Sequence, residues 1–64
     1  MSTTDIAAPK LVAGDVITGI DAQVFPFPFT IRESRPLPTG AAVLIATHGW
    51  FGVVQPHHVA HKVA

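Results

Sequence analysis

The sequence predicts an all-β protein, a small five-stranded barrel with a short 3₁₀ turn before its last strand. Three observations carry this. Phe25, Phe27, Phe29 and Ile31 repeat at every second position, the period of a strand face. Two apolar runs, residues 41–47 (AAVLIAT) and 50–55 (WFGVVQ), flank His48-Gly49 in the manner of a hairpin. No segment of eleven or more residues repeats its apolar positions at the 3.6-residue period a helix needs.

Residues 1–9 (MSTTDIAAP) are small and polar and end in proline, which reads as a flexible N-terminal arm. Residues 10–64 then form a single domain, since 64 residues leave no room for a second. Residues 11–20 (LVAGDVITGI) carry β-branched Val16 and Ile17 between glycines and read as the first strand, with residues 21–23 as its connection. In residues 24–31 (VFPFPFTI) the two prolines occupy the parity opposite the phenylalanines. Two residues apart, extended chain points its N–H groups the same way, so both missing donors fall along one edge. That predicts an edge strand, or a polyproline-like segment, with its proline side unpaired. Residues 32–40 (RESRPLPTG) hold charges, prolines and a glycine and read as a loop.

A two-residue His48-Gly49 turn sets a register. Thr47 faces Trp50, Ala46 faces Phe51, Ile45 faces Gly52, Leu44 faces Val53, and Val43 faces Val54. One face then carries Val43, Ile45, Trp50 and Val54, and the other Leu44, Ala46, Phe51 and Val53. Both are apolar, so one fills the core and the other needs a cover. Gly52 opposite Ile45 leaves room for the bend a barrel requires. Pro56 suits the first position of a short helical turn, and residues 61–64 a last strand.

Three pieces of this order resemble an SH3-like barrel. Ala13-Gly14-Asp15-Val16-Ile17 is similar to the run that closes the long first loop of SH3 domains. Trp50 opens a strand. Gly52 to Val59 (GVVQPHHV) is similar to the segment that ends a strand and enters the single 3₁₀ turn. The resemblance implies an architecture. It does not carry over proline-peptide binding, because the aromatic opening motif is absent and the chain has no tyrosine.

Composition narrows the function. Charged residues are only 12% of the chain against about 25% in typical domains, while 48% are hydrophobic. Such a chain is too apolar for disorder. The formal charge is zero, so the basic excess expected of a phosphate-backbone binder is missing. The longest apolar run, residues 41–46, is far short of the roughly 20 residues of a membrane helix. No secretory signal is evident, and no cysteine allows a disulfide, which makes a cytoplasmic protein the expectation.

The candidate chemistry is thin. His57, His58 and His61 read H-H-x-x-H, and on a helical turn His57 and His61 would share a face as zinc ligands do. The metalloprotease glutamate is missing, so they read as solvent-facing histidines with no metal. Ser34, His48 and Asp15 have no spacing that supports a triad. Arg35-Pro36-Leu37-Pro38 is half of a proline-rich ligand motif and reads as a stiff loop.

The expected function is therefore a non-enzymatic protein-binding adaptor or inhibitor. It takes no cofactor and no small-molecule substrate, and it binds a protein partner or a second copy of itself. Its predicted contact residues are Trp50, Phe51, Val53 and Leu44, with Arg32 and Arg35 beside them. Two further classes stay open. A nucleic-acid-binding regulator would gather Arg32, Arg35 and Lys62 on one face near Trp50 or the phenylalanines. A structural subunit of a larger assembly, such as a phage's, would suit the short apolar chain, whose residue usage is that of a high-GC bacterium or its phage.

Overall fold

In the structure, a computed structural model that describes residues 2–63, six strands form one antiparallel sheet. They are β1 (Thr3–Ala7), β2 (Val16–Ile20), β3 (Gln23–Pro36), β4 (Ala42–Ala46), β5 (Phe51–Val54) and β6 (Val59–Val63). Their order across the sheet is β1-β6-β2-β3-β4-β5. No described helix is long and apolar enough to cross a membrane.

The pivot is β3. Its first half, residues 23–30, pairs with β2, and its second half, residues 31–36, pairs with β4. One strand thus belongs to two leaves, β1-β6-β2 on one side and β4-β5 on the other. The leaves curl over a shared core of Leu11, Ile17, Phe29, Ile31, Leu44 and Val54, packed with small Ala8, Ala42, Ala46 and Ala60. A 3₁₀ turn at Ala8–Lys10, with Pro9 inside it, closes over β4. The roll stops there. β1 and β5 end the strand order without pairing, so the sheet is open.

The architecture is all-β as predicted, and several finer expectations change. There are six strands, not five, and the sheet does not close into a barrel. The 3₁₀ turn lies at residues 8–10, whereas the segment after Pro56 is a plain turn held by the His58 amide donating to the Gln55 carbonyl. Thr3–Ala7, read as part of a flexible arm, is strand β1, paired along its length with β6. Met1 of that arm, and Ala64 of the expected last strand, lie outside the described residues. Residues 12–15 turn around Gly14, at φ 95°, so the first predicted strand begins only at Val16. The predicted loop at 32–40 is mostly strand. Glu33 and Arg35 sit on the solvent side of β3 opposite Ile45 and Val43, and half-solvated strands carry charge there.

The prolines behave as their parity implies. Neither Pro26 nor Pro28 has a ladder partner. β2 offers only Thr18 against residues 25–28, and β4 pairing begins at Ile31.

The hairpin differs by one residue. Ile45 faces Phe51, Leu44 faces Gly52, Val43 faces Val53 and Ala42 faces Val54. The loop has three residues, Thr47-His48-Gly49. The Ala46 amide donates to the Trp50 carbonyl at 2.7 Å, and Gly49 takes φ 101°. A two-residue turn of the predicted type needs positive φ at both positions, which histidine resists, whereas this loop asks it only of glycine. The extra residue turns every side chain of β5 to the opposite face from that expected.

Candidate binding surface

The register sorts the predicted contact residues onto two faces. On the inner face Leu44 is fully buried, so it is a core residue and not a contact. Trp50 is on that face too, its indole folded over Gly52. On the outer face, Phe51 and Val53 stand beside Ile45 and Val43. Phe51 is 72% exposed and Val53 56%. Between Ile31 and Glu33 the β3–β4 register shifts by one, which sets Arg32 and Glu33 together opposite Ile45. Arg35 lies opposite Val43, and its Nε donates to Glu33 Oε2. Four of the six predicted residues, Phe51, Val53, Arg32 and Arg35, therefore meet on one outer face. Trp50 and Leu44 do not join them.

The inner face ends in an aromatic group. Phe25 stacks on Phe29 with ring centroids 4.0 Å apart. Trp50 lies 5.2 Å from Phe29, and His48 lies 4.4 Å from Phe29 and 5.0 Å from Phe27. Phe29 is core, while Phe27 is half exposed. The alternation of residues 25–31 announces the phenylalanines. His48 was legible only as a turn residue, because its approach to them depends on the hairpin register.

Lys62 is on β6, two strands from β3, and its Nζ is 3.2 Å from Asp15 Oδ1. Arg35 is also held by a carboxylate. The cations expected of a nucleic-acid surface are thus partly neutralised in place. Ser34, His48 and Asp15 share no hydrogen bond.

The histidines scatter. His57 and His58 neighbour one another in the turn, with rings 4.4 Å apart. His61, on β6, points its Nδ1 at Asp5 Oδ1, 2.8 Å away, and its Nε2 at the Asp21 carbonyl, 2.7 Å away. Those acceptors hold its pKa above the ordinary 6.5, the Asp21 carbonyl contributing most and the Asp5 carboxylate next. Asp21 occupies the β2–β3 turn at φ 53°, and its Oδ1 accepts from the Val59 amide. Among the described residues no three His, Asp or Glu side chains gather as metal ligands. The described residues enclose no cavity.

Neither protein-family models, curated proteins nor solved structures give a match to this chain.

Proposed function

We propose that this chain is a non-enzymatic binding module that engages a protein through the outer face of β4 and β5. The observation that carries the reading is the exposure of Phe51 and Val53 beside Val43 and Ile45, with Arg32, Glu33 and Arg35 along one margin. An apolar centre with a polar rim is the anatomy of a protein interface. An aromatic side chain this exposed on a strand contributes large area at low entropic cost when covered. The charged margin supplies orientation more than affinity, since exposed ion pairs contribute about 0–1 kcal/mol.

We also read the fold as an opened relative of the SH3-like barrel. A long strand shared between two leaves, the Gly14 turn before β2 and the Pro56 turn before β6 support that reading. A nucleic-acid role has one observation in its favour, the half-exposed aromatic group around Phe27 and His48, on which bases stack well. It lacks a free basic margin. The role of a subunit in a larger assembly is a special case of the protein-binding reading.

A photo-cross-linking residue at position 51, compared with one at Val24, tests the proposal in cells. Val24 is 81% exposed and lies on β3 away from this face. Discrete protein adducts from position 51 and none from position 24 are expected. Adducts from neither, or from both alike, would overturn the reading.

A further inference from the structure

The sheet leaves four stretches of strand with one flank unpaired: β1, each half of β3, and β5. Free edges invite strand addition, and proteins blunt them with charge, proline or covering segments. Three of these four are blunted. β1 carries Asp5, the first half of β3 carries Pro26 and Pro28, and its second half carries Arg32, Glu33, Arg35 and Pro36. β5 reads Phe-Gly-Val-Val, with neither charge nor proline.

Its free backbone groups can be named. In an antiparallel ladder, hydrogen-bonded and non-bonded pairs alternate. Ala46 bonds to Trp50, so Leu44–Gly52 and Ala42–Val54 are the next bonded pairs. Phe51 and Val53 are then the residues whose N–H and C=O point away from β4. They are also the residues whose side chains are exposed on the outer face. Backbone and side chain offer the same two positions to a partner.

We propose that the partner is a second copy of this chain, joined β5 to β5 in antiparallel array about a two-fold axis at Gly52. This rests on the reading of the outer face as a protein contact and names its occupant. Three features favour a copy. The edge is nearly palindromic about Gly52, so Phe51 of one copy exchanges both backbone bonds with Val53 of the other, side chain against side chain. It carries no charge, so identical strands meet without the like-charge cost that a charged edge would bring. Gly52 has no side chain on the inner face, where the two strands come closest at the axis. Its own Trp50 lies over it, within 3.1 Å of where a Cβ would stand, so the two indoles come side by side across the axis.

The area is consistent only if more than the backbone edge takes part. A standard interface removes about 800 Å² from each partner. That is roughly a fifth of this chain's 3929 Å². Four residues of strand do not supply it. The outer strip of Val43, Ile45, Phe51 and Val53, and the aromatic group beside Trp50 on the inner face, flank β5 on both sides and complete it.

Sedimentation equilibrium on the purified chain, from micromolar to millimolar concentration, tests this, with variants Val53→Pro and Phe51→Lys. Val53→Pro removes a donor that β4 does not use, and Phe51→Lys places a charge at each end of the symmetric contact. The wild type is expected at twice the chain's 6.8 kDa. Both variants are expected at the single-chain mass, with the β-sheet circular dichroism of the wild type. A variant that loses that spectrum is replaced in the comparison by the other. A wild type that stays monomeric throughout, or folded variants that stay dimeric, would overturn the two-fold pairing. A monomer that still gives heavier adducts from position 51 in cells would fail this inference alone and leave the outer face as a protein contact. Absence of all adducts would remove both.

Discussion

His61 joins three elements through one ring. Asp5 belongs to β1, Asp21 to the β2–β3 turn, and His61 itself to β6. A neutral imidazole has one N–H and can donate to only one of two acceptors, while the protonated ring donates to both. Folding therefore favours the charged form, and the folded pKa lies above the unfolded value of 6.5. The sign follows from linkage: the stabilising contribution is fully present below the unfolded pKa and fades as pH rises through the folded one. The melting temperature is expected to fall as pH is raised from below 6.5 into the mildly alkaline range, and His61→Gln is expected to flatten that fall. Melting curves across this window check it. A wild type and variant with parallel profiles would mean the ring does not bridge these strands. Asp5→Asn is expected to move the His61 titration, followed by its ring proton resonances, toward lower pH.

At the scale of elements, the hairpin shows what one glycine decides. Gly49 holds φ 101°, a region that costs a residue with a side chain roughly 1–2 kcal/mol. Gly49→Ala is expected to lower stability by about that amount, read from a denaturant midpoint. Nothing lies within 4 Å of a Cβ added there, so backbone strain alone would be measured. The same position limits what the sequence reveals. The strand character of residues 41–46 and 51–54 is plain from their β-branched content, and so is the glycine between them. Whether the loop holds two residues or three is a choice between two glycine-containing turns, one of which would ask a positive φ of His48 as well as of Gly49. That choice sends Phe51 outward and Trp50 inward. β3 was legible where phenylalanine alternates and obscured where its solvent side carries Arg32, Glu33 and Arg35, which resemble a loop by composition. β1 was hidden for another reason. Thr3, Thr4 and Ile6 suit a strand, but its only partner is β6, at the far end of the chain. A short polar segment gives no local sign of so distant a partner.

Across the whole molecule, the open sheet is as compact as a globular chain of its length. Its Cα radius of gyration is 10.5 Å, against about 10.7 Å expected for this length. Its accessible surface is 3929 Å², against about 3950 Å² for a monomer of this mass. What sets the chain apart is the character of that surface, since Val12, Val24, Phe27, Phe51 and Val53 are all at least half exposed. The interior is correspondingly lean. Leu11, Ile17, Ile31 and Leu44 are the large side chains fully withdrawn from water. A core of this size rarely supplies more than about 3–5 kcal/mol. Leu44→Ala, at a cost of about 2–5 kcal/mol, is therefore expected to unfold much of the isolated protein at room temperature. Phe51→Ala, on the outer face, is expected to change monomer stability by no more than about 0.5 kcal/mol. Thermal melts of the two variants, at concentrations low enough to exclude association, separate core from contact surface. Equal losses would mean that the hairpin register is wrong.

The place of β6 between β1 and β2 carries a consequence for the order of events during synthesis. Asp5 and His61 are 56 residues apart in the chain. A ribosome makes Thr3–Ala7 before Val59–Val63, and the earlier segment has no neighbour to lie against until the later one emerges. β2 meanwhile keeps one of its flanks bare. The β2–β3–β4–β5 meander can assemble as it is made, because each of its strands follows the one it pairs with. The other leaf forms in a single later event that seats two strands at once, so the arrival of Val59–Val63 governs whether Thr3–Ala7 folds at all.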